Sequence, residues 1–152
     1  MDPSTNVHAG RSTYERYIML RRVLHRRACQ ALAPLDLGGQ QAALLHLLLN
    51  HGPACQAEVA RTLVHDPAAT AKAIDSLIKL GYVERKDDPK DRRRWLITLS
   101  PVGRKMALRV VDVLQALTAE VDAALGSDTA SFNASIDKLT QALHNPNDTR
   151  IS

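Results

Sequence analysis

The chain is poor in aromatics: one Trp, three Tyr and one Phe make up 3% of its 152 residues. Its interior must therefore be aliphatic, and the prevalence of Leu, Ala, Val and Ile suits helix packing. Cysteine is nearly absent as well. Cys29 and Cys55 lie far apart, outside any Cys-x-x-Cys or Cys-His cluster, which leaves no basis for a disulfide scaffold or a zinc site. The plain reading is two reduced thiols. A redox sensor needs a thiol of lowered pKa, and only Cys29, in an Arg-rich segment, has cations close by in sequence. No run of 18 apolar residues occurs, and the opening MDPSTNVHAGRS lacks the hydrophobic core of a secretory signal, so the expectation is a cytoplasmic protein with no membrane partner. There is no Gly-rich phosphate loop, nucleophile elbow or His-x-x-x-His pair, and acidic residues do not gather in a predicted cleft. No catalytic residue, metal ligand or cofactor is expected.

What the chain does have is basic charge, unevenly placed. The net charge is +4 and the pI about 9.3. Residues 11–27 carry six Arg against one Glu, and residues 79–105 carry nine basic against four acidic residues, whereas residues 106–152 carry three basic against six acidic. A basic half and an acidic half point to a polyanionic partner on one side of the molecule.

The stretch 55–103 organises the rest. In CQAEVARTLVHD, Val59, Ala60 and Leu63 recur at helical spacing, and Cys55 with Glu58 three residues on stands where a helix-opening cap belongs. Asp66 then offers an N-cap and Pro67 a first helical position that needs no donor. A second helix is predicted over AATAKAIDSLIKL, with Ile74, Leu77 and Ile78 inward and Gly81 as its stop. Two short helices joined by a few residues are a helix-turn-helix, whose second helix enters the major groove. Exposed polar positions on it, Thr70, Lys72 and Ser76, are candidate DNA contacts. After Gly81 the period becomes alternating. YVERK and WLITLS read as a hairpin with Trp95, Ile97 and Leu99 on one face, and Trp95 is expected in the hairpin core. Asp87-Asp88-Pro89 turns the chain and leaves Lys90, Arg92, Arg93 and Arg94 at the tip, with Arg85 on the facing strand, all candidate DNA contacts. A solvated charged turn is the plain alternative for the arginine run. Ser100-Pro101 opens the next helix by the same cap chemistry.

The run EVARTLVHDPAATAKAIDSLIKLGYVERKDDPKDRRRWLITLSPVGR, above all LxxxGYVER and DPxDRR…LxxSPxGR, resembles the winged helix-turn-helix of MarR-type (multiple antibiotic resistance regulator) transcription factors. The resemblance implies a mainly α fold with a small β-hairpin wing and terminal dimerisation helices, in a triangular homodimer with a wing at each lower corner. It implies that Asp91 braces Arg93 for the minor groove while Arg92 and Arg94 meet phosphates. Such regulators often release DNA on binding small aromatic acids or phenols. The chain departs from the family at Val64, where glycine is frequent, at His65, where an aliphatic residue is usual, and at Pro67-Ala68-Ala69, which offer methyl groups where polar side chains usually read bases.

Flanking helices complete the picture. From Ser12 to about Leu32, one stripe carries Tyr14, Tyr17, Ile18, Leu24, Ala28 and Leu32 with Arg21 and His25 among them, and a second carries Leu20, Val23 and Ala31. A helix sticky on two sides needs two partners, and a second subunit is the natural one. QQAALLHLLLN, nearly all apolar, reads as internal. Beyond the wing, Met106, Val110, Val113, Leu114, Leu117, Val121 and Leu125 mark one long helix. Ser127 or Asp128 caps a last one with Phe132, Ile136, Leu139 and Leu143, and Asn145-Pro146-Asn147 begins a polar tail. The expected organisation is one subunit, with residues 38–101 as the DNA-binding lobe and residues 12–33 and 102–144 as dimerisation helices.

Arg21 and His25, one turn apart, should approach the junction between those helices and the DNA-binding lobe. A buried cation needs a partner. Either an Asp or Glu of a neighbouring helix supplies it, or an anionic aromatic effector does, its carboxylate on Arg21 or His25 and its ring on Tyr17. His25 and His46 could equally be satisfied core histidines. The function expected is a dimeric, sequence-specific DNA-binding regulator on a pseudo-palindromic operator, a repressor released by a small aromatic, anionic or phenolic effector. The alternative is a winged-helix interaction module whose basic face binds an acidic protein.

Overall fold

The structure is a computed structural model that describes residues 11–63 and 66–143. Residues 1–10, Val64, His65 and the polar tail expected from Asn145-Pro146-Asn147 fall outside those residues.

Helix α1 (Thr13–Leu32) opens with a reciprocal cap: Glu15 N–H donates to Ser12 Oγ at 3.3 Å and Ser12 N–H donates to Glu15 Oε2 at 2.7 Å. Of its residues only Leu32 is buried, and Tyr14, Tyr17, Leu20 and Val23 stand exposed. A 3-10 turn at Ala33–Leu35 leads to α2 (Gly39–His51), the helix everything else surrounds. Ala42, Leu44, Leu45, Leu47 and Leu48 are all buried, because α2 is covered by α5 (Pro101–Leu125), α4 (Pro67–Lys79), α1, α3 (Gln56–Leu63) and the hairpin. Each such leucine contributes about 2 kcal/mol relative to exposure, so α2 is the apolar axis of the subunit.

The hinge between α4 and the hairpin is built by backbone chemistry. Gly81, at φ +72°, lets its own N–H donate to Ile78 O and the N–H of Tyr82 donate to Leu77 O, both at 2.9 Å. This pairing satisfies the last carbonyls of α4 and turns the chain sharply. Strand β1 (Val83–Asp88) then pairs antiparallel with β2 (Asp91–Leu99), Val83 opposite Leu99 and Arg85 opposite Ile97. Ser100 locks the return. Its hydroxyl donates to Gly81 O at 2.6 Å and accepts from Gly103 N–H at 2.9 Å, capping α5 and closing the base of the hairpin together. A Cβ on Gly103 would lie 1.7 Å from Tyr82 O, so α5 can approach that backbone only because residue 103 has no side chain.

Trp95 lies outside the core in which the sequence pattern places it. It shares the inward face of β2 with Ile97, but Ile97 is 1% exposed and Trp95 58%. The hairpin projects past the edge of the core, so the alternation is right while the core stops one pair short.

At the far end a 3-10 turn, Gly126–Asp128, joins α5 to α6 (Thr129–Leu143), with the Thr129 hydroxyl donating to Gly126 O at 3.0 Å; among the described residues neither Ser127 nor Asp128 accepts a helix N–H through its side chain. Helix α6 has no buried residue, and Ile136, Leu139 and Leu143 are exposed.

Candidate nucleic-acid interface

Helix α4 begins where Asp66 Oδ2 accepts from Ala69 N–H at 3.0 Å. The side chains at its exposed positions include Ala68, Lys72, Asp75 and Lys79. Thr70 is not among them. It is 2% exposed, and its hydroxyl donates to Asp66 O at 3.1 Å, so the expected DNA contact is an interior residue that fastens the first turn. Its place four residues before Ile74 puts it on the buried stripe. Ser76 is half-buried and turned toward α2, its Oγ accepting from Gln41 Nε2 at 2.7 Å. Gln41 also receives Gly38 N–H on its Oε1 at 2.7 Å, so one side chain closes the start of α2 and ties it to α4. Sequence reasoning passed over Gln41; its position three residues after the Gly38 cap was the available signal. Of the three α4 candidates, Lys72 alone is exposed.

The wing tip owes its shape to an irregular register. Asp87 pairs with Trp95 and Asp88 with Asp91, so Arg92, Arg93 and Arg94 form an extra loop on β2 with nothing opposite them on β1. Two carboxylates fix the turn from inside: Asp88 Oδ1 accepts from Lys90 N–H at 2.9 Å, and Asp91 Oδ1 accepts from Arg93 N–H at 3.0 Å. The Asp91 contact is to the backbone of Arg93, which leaves the guanidinium free to point outward. Among the described residues, the side chains of Lys90, Arg92 and Arg93 are exposed and have no ion-pair partner.

Arg85 and Arg94 are placed differently. Arg85 Nη2 donates to Asp75 Oδ1 at 2.7 Å, tying β1 to α4. Arg94 Nη2 reaches Glu58 Oε1 at 3.3 Å and Cys55 Sγ at 3.1 Å, tying β2 to the start of α3. Glu58 in turn accepts from Cys55 N–H at 2.7 Å. That backbone bond first, and then the nearby Arg94, hold the Glu58 carboxyl below the usual glutamate range. Arg94 is pushed further above its ordinary range, chiefly by its bond to Cys55. Residues 36 apart in sequence give no local sign of this clamp, although the Glu58 cap itself was legible.

Arg21, His25 and Tyr17 come together along an apolar cleft of about 1170 Å³ between α1, α5 and α6, whose walls include Leu24, Val121 and Phe132. Arg21 and His25 also line a second cavity, of about 1000 Å³, between α1, α2 and α4, with Lys72, His46 and Gln41 but not Tyr17. Among the described residues its lining contains no Asp or Glu. Arg21 is exposed rather than buried, and among the described residues it meets no carboxylate, so the interhelical salt bridge expected for it is not formed. The pair linking α1 to α5 is Arg27 with Glu120 instead. His25 Nε2 lies 3.6 Å from Cys29 Sγ. Among the described residues, no group of three or more His, Cys, Asp or Glu could hold a metal ion, and no helix is long and apolar enough to cross a membrane.

Residues 35–94, from the turn before α2 to the arginine loop, match the model of the MarR family. Over that stretch the chain is similar to the MarR family. It is 28% identical over 113 residues to the uncharacterized HTH-type transcriptional regulator YwhA of Bacillus subtilis, a match spanning 74% of this chain and 81% of that protein. With the multiple antibiotic resistance protein MarR of Salmonella typhimurium it shares 32% identity over 72 residues, 47% of this chain and 50% of the relative. The structure of a MepR–DNA complex from S. aureus superposes with a TM-score of 0.79 at 18% identity, covering 88% of this chain and 99% of that one, a likeness of fold. The mainly α winged helix is the fold class that the sequence motifs imply.

Proposed function

We propose that this chain is a MarR-type transcription regulator, a homodimeric repressor that binds a pseudo-palindromic duplex operator through α4 and the wing. The observation that carries it is the arginine loop: three consecutive cations bulge from β2 on a turn pinned by Asp88 and Asp91, beside an α4 whose exposed face carries Lys72. Such an arrangement suits a phosphate rail and the narrow groove beside it. Residues 38–101 form the DNA-binding lobe in this reading, and Arg93 is the minor-groove contact, with Lys90 and Arg92 on phosphates. Residues 12–33 and 102–144 form the dimer. The open apolar faces of α1 and α6 support that, since Tyr14 and Leu143 are 72% and 78% exposed. The partner subunit would cover the cleft between α1, α5 and α6.

Release by a small anionic aromatic effector fits the second cavity. Arg21, His25 and Lys72 line it without a counter-charge, and it spans a dimerisation helix and α4. A ligand there shifts DNA affinity only by its difference in affinity for the two arrangements of these helices.

Selection of bound sites from a random duplex library tests the function. The expected product is a pseudo-palindrome with half-sites about 10 bp apart. Recovery of no enriched site would turn the assignment toward an interaction module for an acidic protein.

A further inference from the structure

Trp95 is the chain's one tryptophan, and the fold leaves it open to water. A ring of that size forgoes a large burial gain when exposed, which marks it as a contact residue when the surroundings fit a partner. It lies in a depression of about 740 Å³ between the wing and the start of α3, lined also by Gln56, Ala57, Arg85 and Arg94.

Both arginines are held from behind. Arg85 is paired with Asp75 and Arg94 with Glu58, each through Nη2, yet their side chains remain 44% and 46% exposed. A guanidinium has five N–H donors in a rigid fork, so one ion pair leaves most of the fork available. Side chains already fixed in place also lose less freedom on binding. Glu58 and Asp75 are engaged by these arginines, and Asp87 is the cross-strand neighbour of Trp95. A flat apolar ring between two braced cations matches a polymer in which apolar sugars alternate with phosphates. The patch is continuous with the loop Arg92 to Arg94, which Trp95 directly follows.

We propose that Trp95, flanked by Arg85 and Arg94, forms a second DNA contact on the α3 side of the wing, with the indole against a deoxyribose and the two guanidinium groups on its phosphates. This rests on the DNA-binding function above. A contact to backbone positions the protein without reading sequence, so it adds to affinity for every duplex alike.

Because Trp95 is the only tryptophan, its emission reports on this patch alone. The full chain is titrated with a labelled duplex carrying the selected site and with an unrelated duplex, reading anisotropy for binding and indole emission with iodide access for contact. The emission should change and iodide access fall in step with anisotropy. Trp95→Ala should weaken both duplexes by a similar factor, about tenfold, with Trp95→Phe between it and wild type. Unchanged emission and iodide access at full anisotropy, or wild-type affinity of Trp95→Ala, overturns the contact and leaves DNA binding intact. A larger emission change with a single-stranded oligonucleotide than with duplex assigns the ring to base stacking and overturns the backbone placement. No anisotropy change with any duplex overturns the DNA-binding function itself.

Discussion

Arg85 on β1 and Asp75 on α4 meet at 2.7 Å, so the wing and the helix beside it are joined by an ion pair as well as by the turn at Gly81. Both side chains are about half exposed, which limits the contribution to stability. A double-mutant cycle with Arg85→Ala and Asp75→Ala should give a coupling of about 0.2–1 kcal/mol in unfolding. The same cycle measured on operator affinity should show positive coupling too, because a loosened wing presents its arginines less often. Strict additivity in both would show that the pair does not orient the wing.

Gly103→Ala should be the most damaging small substitution in the hairpin base. Its methyl would need the space of the Tyr82 carbonyl, backbone that cannot swing aside. A loss of about 3 kcal/mol or more in chemical denaturation is expected. A variant as stable as wild type would mean that α5 can move away from Tyr82 at little cost.

Glu58 gives the wing clamp a pH dependence. Its carboxyl is held below the usual range, first by the N–H of Cys55 and then by Arg94. A lowered folded-state pKa means a contribution present above the unfolded-state value and lost as pH falls through the folded one. The stability difference between wild type and Glu58→Gln should therefore be largest at neutral pH and vanish in acid. A difference constant across pH 7 to 3 would assign the effect of the substitution to shape rather than charge.

Arg21→Ala should leave the dimer and operator binding in place and weaken release by a small aromatic acid such as salicylate. The reason is the cavity it shares with His25 and Lys72, which among the described residues is lined by no carboxylate. Full ligand-induced release from this variant would place the effector elsewhere.

The sequence made the helices readable because their starts are chemical. Ser12, Asp66 and Ser100 each cap as their spacing suggests, and Gly81 ends α4 in the left-handed conformation only glycine adopts freely. Polarity alone puts Thr70 on the outside of α4, whereas its register, four residues before Ile74, puts it inside. Trp95 shows the opposite limit: alternation tells which face a side chain takes and not where the core ends. Arg21 looked buried because its neighbours are apolar, yet in one subunit that stripe of α1 stays open. The clamp of Arg94 on Glu58 and Cys55 depends on tertiary distance alone.

The most direct measurement is the affinity of the purified chain for its selected duplex between about 50 and about 200 mM salt, for wild type and Arg93→Ala. If the arginine loop lies on DNA, wild-type affinity should fall by orders of magnitude over that range as counterions are released. Arg93→Ala should cost about 1–3 kcal/mol and flatten the salt slope. Binding that ignores salt, or an Arg93→Ala variant with wild-type affinity and slope, would contradict a DNA-reading wing.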